Sequence, residues 1–151
     1  MVETIDSGTS ADRILRLERD ALDRWGNGDP GGLLELYAPE ITYFDPVTPA
    51  RIDGHQAMAD YYEPFVGKIH VARYDMLNPQ VVADNMALLT FNLVNYSLDG
   101  IESVGSCWNS TAVYQFRSGT WNAIHSHWSF TRHSAFQTLS PESSERQPVP
   151  S

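Results

Sequence analysis

Asp45 closes the β-prone run Ile41-Thr42-Tyr43-Phe44 and stands directly before Pro46. Proline lacks an amide donor, so strand pairing should stop there and leave the carboxylate at a strand end, facing the mouth of any cavity. An apolar wall beside a carboxylate disfavours its charge, which is what a general base working near neutrality requires. The other reading is a turn aspartate that accepts backbone N–H bonds from the loop it opens. Arg73, in VARYDML, alternates with Val71, Asp75 and Leu77, and this set is expected to face inward. An inward guanidinium would anchor a carboxylate or phenolate, or stabilise a developing enolate. An Arg73–Asp75 surface pair is the plainer alternative and would contribute little. His70, of opposite parity near the same strand start, is a candidate proton shuttle.

Trp25, Trp108, Tyr114, Trp128 and Phe130 suit either a stack on a flat organic ligand or a packed core. Asn92, Ser110 and Ser126 are expected to share strand faces with Trp108 and Trp128. Cores avoid unpaired hydroxyls and amides, and an apolar cavity with a few polar groups is how a small-molecule site is built. His125 and His127 lie two apart, so their rings share a face and with a third ligand could hold zinc or iron. Cys107 is the sole cysteine. It cannot form an internal disulfide, and with no flanking cation it is expected to be buried between subunits rather than nucleophilic.

The elements that must position these groups follow from periodicity. Ser10 is expected to cap a helix with Ile14, Leu17, Ala21 and Trp25 on its apolar stripe, stopped by Gly26-Asn27-Gly28. Asp29-Pro30 should open a short second helix through Leu33, Leu34 and Tyr37. Asp53 should cap a third, Gly54 to Glu63, closed by Pro64. The period then changes to two, predicting strands at about 68–82, 86–98, 103–117 and 120–132. Asp84-Asn85, Asp99-Gly100 and Ser118-Gly119 supply the turns. Residues 1–9 read as a flexible arm, 10–137 as one domain and 138–151 as a disordered tail. Helices first and a long antiparallel meander afterwards specify an α+β domain, with a curved sheet wrapped round a helix and a cavity between them.

At 151 residues there is room for one domain. Nineteen acidic against ten basic residues give a net charge of −9, and one lysine, Lys68, serves the whole chain. Without a cationic cluster, nucleic-acid and anionic-membrane binding are excluded as expectations. No signal segment or membrane-length apolar run is visible, so a cytoplasmic protein is expected. No nucleotide, flavin or metal motif is present, and no cofactor is expected. The bare sheet face would need covering, which makes a homodimer or higher homo-oligomer the expected state.

The segment GDPGGLLELYAPEITYFDPVTPARIDGHQAMADYY resembles ketosteroid isomerase in the spacing of its Gly-Asp, Asp-Pro-Val, Gly and Tyr-Tyr positions. MLNPQVVADNMALLTFNLVNYSLDG followed by TAVYQFRSGTWNAIHSHWS is similar to the association domain of calcium/calmodulin-dependent protein kinase II, and the whole also to SnoaL-like polyketide cyclases. The likeness covers about residues 11–133 and implies the nuclear transport factor 2-like α+β cone, with three N-terminal helices packed in a curved, mostly antiparallel sheet. It implies that Asp45 is the general base and that Tyr62 is the matching helix-three tyrosine. This isomerase is a familiar example of a carboxylate base beside an oxyanion hole. Its two principal oxyanion donors fall here at Ala21 and Ala112, which cannot donate, so steroid isomerisation by that mechanism is not expected. The kinase domain's pocket arginines fall at Asn92, Ala112 and Trp128, and scytalone dehydratase's histidines near Arg73 and near Trp108 or Ser106. The pairing register implied by the likeness turns Ile124, Ser126, Trp128 and Phe130 into the cavity and His125 and His127 outward.

The expected function is cofactor-independent proton transfer on a small aromatic or polyketide-like substrate, of lyase, isomerase, cyclase or dehydratase type. Asp45, Arg73, Tyr62 and His70 are the catalytic candidates. Trp25, Tyr43, Asn92, Trp108, Ser110, Ser126 and Trp128 are the substrate-binding candidates, and no metal site is expected. A non-catalytic binding or assembly domain is the alternative.

Overall fold

A computed structural model of the chain describes residues 9–97 and 104–132. The arm, the Asp99-Gly100 turn and the tail lie outside the described residues, apart from Thr9. Helix α1 (Ser10–Gly26) is capped by Thr9 rather than Ser10. The Thr9 hydroxyl accepts from the Asp12 amide at 3.1 Å and the Asp12 carboxylate accepts from the Thr9 amide at 3.2 Å. Such a reciprocal box satisfies two otherwise orphaned donors, and only Thr9 stands three residues before a side chain that can return the bond. Ile14, Glu18, Ala21 and Leu22 form the buried face. Helix α2 (Gly31–Leu36) follows Pro30, with the Asp29 carboxylate accepting from the Gly31 amide at 2.8 Å.

Tyr37 does not end that helix but begins strand β1 (Tyr37–Phe44), which pairs with the two-residue β2 (Ile52–Asp53). Helix α3 (His55–Tyr62) starts at Gly54 without a side-chain cap, because Asp53 is drawn to Arg51 at 2.6 Å, and a 3-10 turn (Glu63–Phe65) carries Pro64. Strands β3 (Arg73–Ala83), β4 (Met86–Tyr96), β5 (Val104–Arg117) and β6 (Thr120–Phe130) complete the sheet. The order is β2-β1-β6-β5-β4-β3, antiparallel except that β1 runs parallel to β6. Ser118 and Gly119 both have positive φ, 52° and 84°, as a tight two-residue hairpin turn demands.

The α1 face lies against the inner side of the sheet, with Leu89, Phe91, Leu93, Ala112, Tyr114 and Ala123 in the common core. Burying each large apolar side chain there contributes about 1.5–3 kcal/mol. The register corrects three expectations. Tyr74 and Met76 pack against the core, so Arg73, Asp75 and Leu77 lie on the opposite face. Asn92 pairs with Asn109 while Leu93 pairs with Trp108, so Asn92 does not share a face with the tryptophans. On β6 an irregularity between Ala123 and His125 takes Ile124 out of the inward set. Ser126 and Trp128 remain buried on the inner side, while Phe130 is 57% exposed and stacks on Trp108 at 4.5 Å. Cys107 is already buried within the single chain.

Candidate functional site

A cavity of about 170 Å³ lies at one end of the cone. Helix α1 contributes Leu22 and Trp25, α2 contributes Leu33, and the end of β1 contributes Tyr43, Asp45 and Val47. Tyr61, Tyr62 and Phe65 enter from α3 and the turn after it, and Leu93, Asn95, Trp108 and Trp128 from the sheet. The rings meet edge to face: Trp25 and Tyr62 at 5.2 Å, Tyr43 and Tyr62 at 6.1 Å, Trp108 and Trp128 at 5.9 Å. Such contacts fix ring orientation as well as burying area.

Asp45 is the charged group among these lining residues. Its Oδ1 accepts from the amides of Val47 at 2.9 Å and Thr48 at 3.0 Å, and its Oδ2 from the hydroxyls of Tyr43 at 3.0 Å and Tyr61 at 2.6 Å. Both sequence readings of this residue are therefore present at once: a loop-opening turn aspartate, and a carboxylate at a cavity wall. Four donors occupy about the full acceptor capacity of a carboxylate. Burial, with the Asp45 charge adding to it, pushes the Tyr43 and Tyr61 hydroxyls above the usual tyrosine range, so both remain protonated donors. Deeper in the cone, the Tyr62 hydroxyl lies 3.1 Å from that of Tyr37 and interacts with that of Tyr43. Tyr37 also bonds Ser126. Burial holds Tyr37 and Tyr62 well above the usual range too.

The cavity thus gathers Asp45, Tyr62, Trp25, Tyr43, Trp108 and Trp128 from the candidates read in the sequence. Ser110 and Ser126 are buried on the same side of the sheet but behind the lining residues. The Ser110 hydroxyl has no hydrogen-bond partner. Arg73 lies outside, 3.0 Å from Asp75 and with its guanidinium carbon 3.9 Å over the Tyr96 ring. Tyr74 and Met76 take the inward parity of β3, which turns Arg73 to the other face. His70 is exposed on the approach to β3, and Asn92 donates to the Trp108 carbonyl at 3.2 Å and to Asn109 at 2.7 Å.

Tyr114 is fully buried, bonded to Glu18, and away from the cavity. His125 and His127 pack against Phe44 on the outer face, with His125 Nδ1 2.8 Å from the Thr42 hydroxyl. Burial lowers the proton affinity of His125. Among the described residues no group of three His, Cys, Asp or Glu side chains gathers to hold a metal.

Sequence reasoning missed Tyr61, Phe65 and Asn95. Tyr61 was visible in the Tyr-Tyr doublet. Both rings flank the cavity because α3 ends there, and Tyr61 rather than Tyr62 reaches Asp45. Asn95 lies two residues past Leu93 on the inward parity. It donates to Ser106 Oγ at 3.2 Å, which also receives the Trp108 indole N–H at 2.8 Å.

Helices closing one side of a six-stranded curved sheet, with an aromatic cavity at one end, define an α+β cone of the nuclear transport factor 2-like class. The sequence model of the SnoaL-like domain matches residues 19–124, and the chain belongs to the SnoaL-like family. The crystal structure of a "putative ketosteroid isomerase" from Parabacteroides distasonis is 33% identical, with 83% of this chain and 90% of that chain covered at a TM-score of 0.72. An NTF2-like protein of unknown function from Pseudomonas putida is 23% identical over 80% of this chain and 85% of its own, TM-score 0.69. The calcium/calmodulin-dependent protein kinase II hub homology domain from Chlamydomonas reinhardtii is 20% identical over 83% of this chain and all of its own, TM-score 0.67. The last two similarities are evidence of the fold alone. No curated protein matches the chain. Among the described residues no helix is long and apolar enough to cross a membrane.

Proposed function

We propose that the protein is an enzyme that moves a proton on a small, ring-bearing organic molecule held in the aromatic cavity. The observation that carries this reading is the position of Asp45. It is the one carboxylate among the lining residues of a mostly apolar, aromatic cavity, and it is held in a fixed orientation by two backbone amides. Orientation of this kind is a large part of what an enzyme base contributes. Trp25, Trp108 and Trp128 hold the ring, and Tyr62, kept protonated by burial and bonded to Tyr37 and Tyr43, supports the tyrosine that donates to Asp45. Ala21 and Ala112 are core residues here, so the oxyanion donors implied for ketosteroid isomerase have no counterpart at those two positions. The reaction is of isomerase or lyase type: Asp45 takes a proton from the bound molecule and returns it at another position or to a leaving group. Replacing Asp45 by Asn keeps the size and two-amide anchorage of the side chain. Substrate exchange of protons into deuterated buffer, followed by NMR over a panel of phenols, enones and ring-bearing amines, is expected to fall 10²–10⁴-fold. Unchanged exchange in the variant would remove Asp45 from the chemistry.

A second reading, a non-catalytic binding or assembly domain, is favoured by a specific observation. All of the carboxylate's acceptor sites are already engaged, so a proton arriving there must displace a tyrosine. On either reading a homo-oligomer built through the outer sheet face would cover Val82, Met86 and Leu88, which are 62%, 40% and 42% exposed. Stable self-association together with no exchange for any compound would favour the assembly domain.

A further inference from the structure

The polar groups at the cavity have their protons directed into the protein. Tyr43 and Tyr61 donate to Asp45, and Asn95 and the indole of Trp108 donate to Ser106. What the two tyrosines offer to an occupant is therefore oxygen lone pairs, made more electron-rich by the carboxylate to which they donate. Around them stand the aromatic rings of Trp25, Tyr62 and Trp108, and the quadrupole of such a ring attracts positive charge to its face. No Lys, Arg or His is among the described residues lining the space. The arginine expected to anchor an anion is paired with Asp75 on the other side of the sheet. A carboxylate, phenolate or phosphate entering here would meet like charge and no counter-ion. An ammonium would meet a carboxylate, two hydroxyl oxygens and an aromatic enclosure.

We propose that the cavity selects an organic cation: a primary or methylated amine carried on a single aromatic or aliphatic ring. The size follows from the volume, since an apolar cavity of about 150 Å³ accommodates benzene and this one is about 170 Å³. The ring lies among the tryptophans, and the ammonium lies at the Asp45–Tyr61 end. Tyr61 is only half-buried, so it is the group that moves aside when a cation takes its place on Oδ2. This inference rests on the reading of the cavity as a ligand site and does not depend on turnover.

Three one-ring probes of similar size separate the possibilities: benzylamine, which is an ammonium at pH 7, benzyl alcohol and benzoate. In ligand-observed NMR titrations, benzylammonium is expected to bind at least 10-fold more tightly than either of the others. The preference over the alcohol should vanish in Asp45→Asn. If that variant does not fold, the salt dependence of the wild type decides. Raising ionic strength from 20 to 500 mM should weaken the amine and leave the alcohol unchanged. Equal or tighter binding of benzyl alcohol or benzoate would overturn the cation assignment while leaving the ligand site standing. Absence of binding by all three at millimolar concentration would overturn both.

Discussion

The Asp45 carboxylate receives two hydroxyls on a single oxygen, and the two tyrosines that supply them are not equivalent. Tyr43 is 4% exposed and also interacts with Tyr62, whereas Tyr61 is half-buried. Removing a buried hydroxyl strands its partners away from water, while removing a half-exposed one lets water take its place. Tyr43→Phe is therefore expected to cost about 1–2 kcal/mol in urea denaturation, and Tyr61→Phe less than about 0.5 kcal/mol. Tyr61→Phe should also leave one Oδ2 position open and tighten the binding of a donor ligand by a few-fold in the same titrations. A stability loss for Tyr61→Phe equal to that of Tyr43→Phe would contradict this division. Legibility at the residue scale followed the same physics. Asp45 was marked by the proline after it, and the tryptophans by their size, because both signals are local. Tyr61 was not, since two adjacent tyrosines look alike until the end of a helix decides which of them reaches a partner 16 positions away. Arg73 was misplaced because alternation identifies a face without saying which side of the sheet it is.

At the scale of elements, the strands after residue 86 were legible to within two residues. Their apolar positions follow a period of two over most of their length, and a one-residue slip would turn the side chains to the wrong face. Strand β3 was not, because Tyr74 and Met76 on one side and Leu77 on the other are similarly apolar. Asn78, with φ of 53°, then interrupts the pairing between Leu77 and Gln80. The parallel pairing of β1 with β6 was equally hidden, since it joins strands about 80 residues apart and no local signal specifies it. The clasp at the end of α1 is a third such feature. Gly28, with φ of +85°, donates to the Trp25 carbonyl at 2.9 Å and accepts from the Gly67 amide at 2.8 Å. A Cβ there would stand 3.1 Å from the Gly67 backbone, so strain and steric conflict add. Gly28→Ala is expected to lower stability by about 1–3 kcal/mol and to change Trp25 fluorescence, because the clasp fixes the helix end that carries this ring into the cavity. A variant with unaltered melting temperature and emission would show that the clasp is dispensable.

At the scale of the whole molecule, a buried charge far from the cavity mouth sets the pH dependence of stability. Glu18 lies on the buried face of α1, 4% exposed, with the Tyr114 hydroxyl donating to its carboxylate. Burial pushes its pKa from 4.5 up to about 7, and the Tyr114 bond offsets part of that rise. The folded chain thus holds this proton more tightly than the unfolded chain does. At pH below about 4.5 both states are protonated and Glu18 imposes no charge cost. As pH rises from 4.5 to 7 the unfolded chain ionises first, so unfolding releases a proton and stability falls through that window. Above pH 7 the loss levels off at roughly 3 kcal/mol. This opposes the usual acid destabilisation of proteins whose carboxylates are salt-bridged, here contributed by Asp29, Glu40 and Asp53, which pair with arginines. Those pairs are exposed, and their effect is small. Glu18→Gln keeps an acceptor for Tyr114 and removes the titration. Urea denaturation of both proteins at pH 5 and pH 8 should show the variant gaining on the wild type by about 2 kcal/mol between the two pH values. Any fixed cost of the new amide in the core cancels in that difference. A constant gap across the pH range would mean that Glu18 ionises as freely in the fold as in the unfolded chain, and that the core around Tyr114 admits water.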